Sequence, residues 1–406
     1  MKKEAKQRLI DITDRVAFFF FVILVFFLPI SNAAVESSFG FIFLMFMIRM
    51  FLKRPTWKEI LIFFKNRINL SLLIFYICIG LSLVVSGSFF KKSFHAWFFK
   101  WGEGVLLFYF AQIFLKNRHV KILLKVFIFS TFIICIDGLY QKISGVDFIR
   151  GFELIRQENF TAIRASFNYY NDFASFIVAM FFINWGILFY AKKLWLRLFL
   201  MCLSLLIIVN LFFTYSRGGW ISFLAVYLFL TLISIDRKKK ILLISFMIIF
   251  ILGIISIPSL RERFLFIIKK GGDAGRFEIW KVAILMFKNS PFLGKGIGTF
   301  MEYLPKYSNL GSQYTHNCYL QILAETGLLG LISFLWFLQE IIMGCYKKLI
   351  KNSDFLLLGI FLGFLAFLIH SFFDTQLYSL KLSILFWILA SFLDINIVKR
   401  LESNEC

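Results

Sequence analysis

The feature that most restricts this chain is a series of apolar runs, each about 15 to 20 residues long, recurring from Val16 to Ile397. Wound as a helix, such a run spans the roughly 30 Å hydrocarbon core of a bilayer. Backbone N–H and C=O groups find no water there, so segments of this kind cross as helices that satisfy their own hydrogen bonds. With 60% hydrophobic residues, 57 Phe and only five Pro, the composition excludes a single water-soluble domain. The expected fold is an all-α polytopic membrane protein with about 12 transmembrane helices. Helices 1–9 are expected over residues 1–258 and a large outer loop containing amphipathic helices over 259–315. Helices 10–12 and a cytoplasmic C-terminus follow over 316–406.

A net charge of +22 raises the question of a nucleic-acid partner. The basic residues cluster at Lys2–Arg15, Lys53–Arg67, Lys116–Lys125, Lys192–Arg197, Arg237–Lys240, Lys347–Lys351 and Lys399–Arg400. These are alternate connections between apolar runs, the pattern of the positive-inside rule, so the charge reports topology and no nucleic-acid partner is expected. The first run is long enough to be an uncleaved span, although Ser31-Asn32-Ala33-Ala34 supplies small residues after it. The six cysteines are scattered without a CxxC pair, which supports neither a disulfide framework nor a metal site. One outer connection, Phe89–Lys100, is basic and aromatic against the charge rule, and reads as an interfacial helix.

Residues able to do chemistry gather around the outer loop. In Thr315–Leu331, Asn317, Gln321 and Glu325 recur every four residues, giving one polar face to an otherwise apolar helix. Such a stripe is costly in a membrane unless it lines a cavity. His316 precedes it and is suited to act as a general base on a hydroxyl. Residues 259–315 carry nine basic against four acidic side chains, which asks for an anionic partner. Within them, Gly271-Gly272-Asp273-Ala274-Gly275 reads as a flexible lead to Arg276. Phe277, Trp280, Ile284 and Phe287 then form the expected apolar face of an amphipathic helix. Gly294-Lys295-Gly296-Ile297-Gly298 lacks the preceding strand and following Lys-Ser/Thr of a nucleotide loop, and reads as a break. Arg217 lies in Ser216-Arg217-Gly218-Gly219, a short connection whose glycines are expected to make a tight turn. Planar guanidinium forks on Arg164, Arg217 and Arg276 suit a diphosphate. Together these groups point to transfer from a lipid diphosphate to an acceptor hydroxyl outside the cytoplasm.

The same residues, in order, resemble the O-antigen ligases of the bacterial O-antigen ligase and polymerase superfamily. His316-Asn317, nine residues, Gly327, two leucines and Gly330 match the ligase histidine motif. Arg217 in S-R-G-G, Arg276 in G-R-F-E-I-W and Asp374 in H-S-F-F-D match the family's arginines and late aspartate. The resemblance covers about Asn168–Asp374; the first 150 residues carry no motif. It implies an inner-membrane, multi-pass enzyme with its active site facing the periplasm, inverting, with neither metal nor cofactor. The partners implied are an undecaprenyl-diphosphate-linked glycan donor, the lipid A core as acceptor, and membrane lipids. His316, Arg217 and Arg276 would be catalytic, with Arg164, Asn171, Asn317 and Asp374 at the substrates. An O-antigen polymerase or a protein O-oligosaccharyltransferase uses the same donor and stays open beside it. A lipid-linked glycan flippase would instead place its charges at mid-membrane depth.

Overall fold

The computed structural model describes residues 2–157, 160–233, 237–269, 274–351 and 354–398. The expected lead at Gly271–Asp273 and the basic pair Lys399–Arg400 lie outside these residues. In chain order the helices are α1 Lys2–Phe27, α2 Asn32–Lys53, α3 Trp57–Lys65, α4 Arg67–Leu81, α5 Phe90–His95, α6 Gly102–Phe114 and α7 Asn117–Ser144. A short hairpin, β1 Ile155–Gln157 and β2 Phe160–Ala162, precedes α8 Tyr170–Tyr190, α9 Leu194–Phe213, α10 Arg217–Ile233 and α11 Arg237–Ser256. Then come α12 Pro258–Lys269, α13 Ala274–Asn289, α14 Phe300–Tyr307, α15 Cys318–Lys351, α16 Phe355–His370 and α17 Leu380–Val398.

The chain is thus a polytopic all-α membrane protein. By length and composition, six segments among the described residues suffice to cross a bilayer: α2, α4 with its 3₁₀ extension to Val85, α7, α8, α9 and α15. Apolar stretches within α10 and α11, and α16 entire, are shorter, so this criterion identifies fewer spans than the sequence expectation of about 12. Helix ends are set by local capping. Thr56 and Glu59 form a reciprocal box at the start of α3, which buries no side chain, as expected of a surface helix. Asp354 accepts from the N–H groups of Leu356 and Leu357 to start α16.

The core is built on α8 and α16. They pack antiparallel where Gly186 faces Gly359, and a Cβ at either glycine would meet the other's Cα at 2.8 Å. Without lipid–water contrast between helices, such small residues are what allow close van der Waals packing. α17 lies beside them, with Trp387 seated over Gly104 of α6. Lys381 near its start is buried, its Nζ donating to the carbonyls of Pro29 (3.0 Å), Ile30 (3.3 Å) and Ser166 (2.7 Å). The ammonium thereby ties the α1–α2 turn to the connection before α8.

Three details differ from the sequence reading. The connection 145–169 contains the antiparallel pair β1–β2, in register Ile155↔Ala162, where no strand is expected. In α13 the buried residues are Ile279, Val282, Ala283 and Met286, whereas Phe277 and Ile284 are exposed. The helix is apolar on more than one face, so periodicity alone selected the wrong one. Packing decides, because α13 seats its small side against Ala324 of α15 and Phe300 of α14. Ala274 and Gly275, read as part of a lead, already belong to this helix.

Candidate functional site

His316 stands at the entrance to α15 with a left-handed backbone, φ +52°. Histidine tolerates this conformation better than most residues, but it persists only where neighbours fix it. Here Thr315 does so from one side, its hydroxyl donating to the Asn317 carbonyl at 2.6 Å and its N–H to Gln321 Oε1 at 3.0 Å. Asn317 acts from the other, its Oδ1 accepting from Tyr319 N and Leu320 N at 3.0 Å each. The imidazole Nδ1 lies 3.2 Å from Asp374 Oδ1, and a third of the side chain remains exposed (33%). With Nδ1–H donating to the carboxylate, Nε2 keeps its lone pair, the arrangement a general base needs.

Asp374 reaches His316 because the turn after α16 docks onto the start of α15. Cys318 N donates to Ser371 O at 2.9 Å, and Cys318 Sγ to Asp374 O at 3.4 Å. Burial by itself would raise the Asp374 carboxyl. The hydrogen bond and charge of His316, the charge of His370 and the Thr375 N–H together hold it below its ordinary 3.8.

Four helix N-termini meet here. Ser216, just before α10, donates its hydroxyl to Asn171 of α8 at 2.8 Å. Ser379, just before α17, donates to Asp172 of α8 at 2.9 Å. With α15 joined through Cys318, the positive ends of α8, α10, α15 and α17 converge, a field that favours an anion.

Arg217 is the first residue of α10 rather than part of a turn. The left-handed residue of this connection is Tyr215, φ +53°, whereas Gly218 and Gly219 have no positive φ. The glycines serve packing instead. A Cβ at Gly218 would meet the His370 ring at 2.8 Å, and one at Gly219 would meet Ala174 at 3.1 Å. Their smallness brings the start of α10 against the end of α16, four residues from Asp374. Arg276 is in the first turn of α13. One turn on, Trp280 donates its indole N–H to Thr315 O at 2.9 Å, which fixes this face beside His316. Arg276 also lies close enough to His370 to act on its ring through charge. Both arginines and the histidine therefore belong to one end of the bundle.

Beneath this mouth lies a floor built on Glu325. Its carboxylate accepts from Gly298 N (2.8 Å), Phe300 N (3.0 Å), the Tyr378 hydroxyl (2.7 Å) and Gln321 Nε2 (3.2 Å). Burial and the adjoining carboxylate push the Tyr378 phenol well above its ordinary value. The segment Gly294–Gly298 is no mere break. It lies along α15, with Lys295 N and Gly296 N donating to the carbonyls of Ala324 and Glu325. At Gly327 α15 itself is interrupted (φ +65°, ψ −163°), and a Cβ there would stand 2.4 Å from the Phe292 carbonyl. At Gly330 a Cβ would collide with the Thr326 hydroxyl. The two motif glycines thus have separate physical reasons: Gly327 admits the backbone at Phe292, and Gly330 leaves room for the Thr326 hydroxyl one turn earlier on the same helix.

The remaining candidates Arg164, Asn171 and Asn317 make structural contacts. Arg164 donates to the carbonyls of Glu153 (3.0 Å) and Asn168 (2.9 Å) and covers the Phe152 ring, clamping the hairpin connection. Asn171 docks α10, and Asn317 caps α15. Sequence reasoning missed Asp172, Tyr378, Ser379 and Lys381. A charge inside an apolar run was the available signal for Asp172 and Lys381. Among the described residues, no group of three His, Cys, Asp or Glu side chains is placed to hold a metal ion.

Residues 202–335 match the family model described as O-Antigen ligase. That stretch includes Arg217, Arg276, His316, Gly327 and Gly330. No curated protein matches the chain.

Proposed function

We propose, from the premise that this chain carries an O-antigen ligase domain over residues 202–335, that it transfers a glycan from undecaprenyl diphosphate to a hydroxyl of the lipid A core. The observation that carries this reading is the His316–Asp374 contact at the junction of four helix N-termini. Nε2 of His316 takes the proton of the acceptor hydroxyl while Asp374 steadies the imidazolium that results. The acceptor oxygen attacks the anomeric carbon, and the bond from that carbon to the diphosphate breaks. The diphosphate leaves with the electron pair, its charge met by Arg217, Arg276 and the converging helix dipoles. A single displacement of this kind inverts the anomeric centre. Diphosphate is itself a good leaving group, so the reaction needs no ATP, and the family resemblance implies that the arginines meet its charge without a metal. The site would face the periplasm from the inner membrane.

The test is incubation of the purified chain with a lipid-diphosphate glycan and three candidate acceptors. Product on the lipid A core supports the ligase. Product on a second lipid-linked glycan would make the chain a polymerase, and product on protein a protein glycosyltransferase. His316→Asn and Arg217→Gln should each cut transfer by about a hundredfold or more in folded protein, and undiminished transfer in both would sink the mechanism.

A further inference from the structure

The basic, aromatic connection that broke the charge rule is helical, but not α-helical throughout. Between α5 and α6 the backbone of Ala96–Trp101 is a π-helix, a rare widened turn that is found disproportionately at functional sites. Its Phe98, Phe99 and Lys100 line a cavity of about 620 Å³ that also takes in Tyr378 and Ser379. These last two are the residues whose hydroxyls hold Glu325 and Asp172. The cavity therefore shares a wall with the catalytic loop.

Its lining is mixed in a particular way. Phe39, Phe43, Tyr76, Phe98 and Phe99 supply aromatic surface. Trp97 fixes that wall from behind, stacked on Tyr76 at 5.0 Å and donating its indole N–H to the Tyr76 carbonyl. Between the rings stand two carboxylates, Glu36 and Glu103, and two bases, His95 and Lys100. No ion pair joins these four among the described residues, and Glu103 Oε1 is buried without a hydrogen-bond partner. An acyl chain would leave the buried Glu103 Oε1 unsatisfied, and a simple anion would be repelled by the carboxylates. Flat apolar walls with scattered donors and acceptors match a sugar, whose C–H faces lie on rings while its hydroxyls both donate and accept.

Position decides which substrate this sugar belongs to. Arg217 enters from α10, which packs on α8, α16 and α11. The cavity is walled by α2, α4, α6 and the start of α17. The catalytic loop 374–379 runs between the two. We propose that this cavity is the subsite for the acceptor glycan, delivering a sugar hydroxyl to His316 from the side opposite the diphosphate. This rests on the transferase reading above, and it assigns binding roles to Glu36, His95, Lys100 and Glu103.

The test is equilibrium binding by the full chain in detergent micelles, using lipid A bearing its core oligosaccharide and lipid A alone as probes. The wild type should bind the first more tightly than the second. Glu103→Gln should weaken binding of the core-bearing lipid about tenfold, the loss expected for a hydrogen bond to a charged group. The same change should leave lipid A alone and the melting temperature unaffected. Lys100→Gln serves as a second variant, with the same direction expected. Equal binding of the two lipids, no binding of the core-bearing lipid, or unchanged binding in both variants would overturn the proposal. A chain that binds as expected yet transfers nothing would instead remove the transferase reading alone.

Discussion

Asp374 and Glu325 are carboxylates at the same end of the helix bundle, and the regions around them use charge in opposite ways. Around Glu325 the polar groups saturate one another: four donors converge on one carboxylate and pin Gly298 and Phe300 to α15. Around Asp374 the carboxylate orients one partly exposed imidazole, with two arginines on neighbouring helix starts. A saturated buried polar group stabilises and specifies a fold, because removing it strands its partners. A group left facing an opening can act on something that enters. The first region is a floor and the second a mouth.

The largest effect expected from that division is on chemistry at the mouth. His316→Asn, which keeps a residue tolerant of left-handed backbone, should cut transfer by about 10²- to 10⁴-fold. Its melting temperature should stay near wild type in the same preparation. A stability loss matching the activity loss would move His316 to the floor. Next comes Glu325→Ala, which strands buried donors on Gly298, Phe300 and Tyr378 and should cost about 3 kcal/mol of stability. Thermal unfolding in detergent reads it, and an inactive protein of undiminished stability would turn Glu325 into a reacting group. Asn317→Ala removes a helix cap and should cost about 1 kcal/mol. Substrate affinity measured beside it should hold, and a selective loss of affinity would return Asn317 to the substrates.

The smallest effect is a pH dependence. Asp374 has a depressed carboxyl, so its contribution to stability is fully present above the unfolded carboxylate value, about pH 3.9. It is lost as the pH falls through the lower folded value. An unfolding series across that range should show Asp374→Asn converging on wild type at the acid end. Convergence already near neutral pH would mean that Asp374 does not stand ionised against His316.

The sequence by itself determined the class of molecule, since apolar runs of spanning length permit helices and little else. It also singled out Arg217, Arg276 and His316 as outer-side groups able to do chemistry, and Asp374 through the family resemblance. It located the two motif glycines without their reason, which is an approach of Phe292 and Thr326 too close for a Cβ. Only tertiary structure decided the rest. The S-R-G-G segment proved to be a packing contact rather than a turn, because its neighbour is His370, more than 150 residues away in sequence. Glu325, one of a polar stripe in the sequence, takes its place because Gly298 and Phe300 donate to it. The cavity beside Tyr378 draws on α2, α4, α6 and α17, segments that carried no motif. Contacts between distant segments leave no local period to read, and at this end of the molecule they turn a scatter of polar residues into a floor and a mouth.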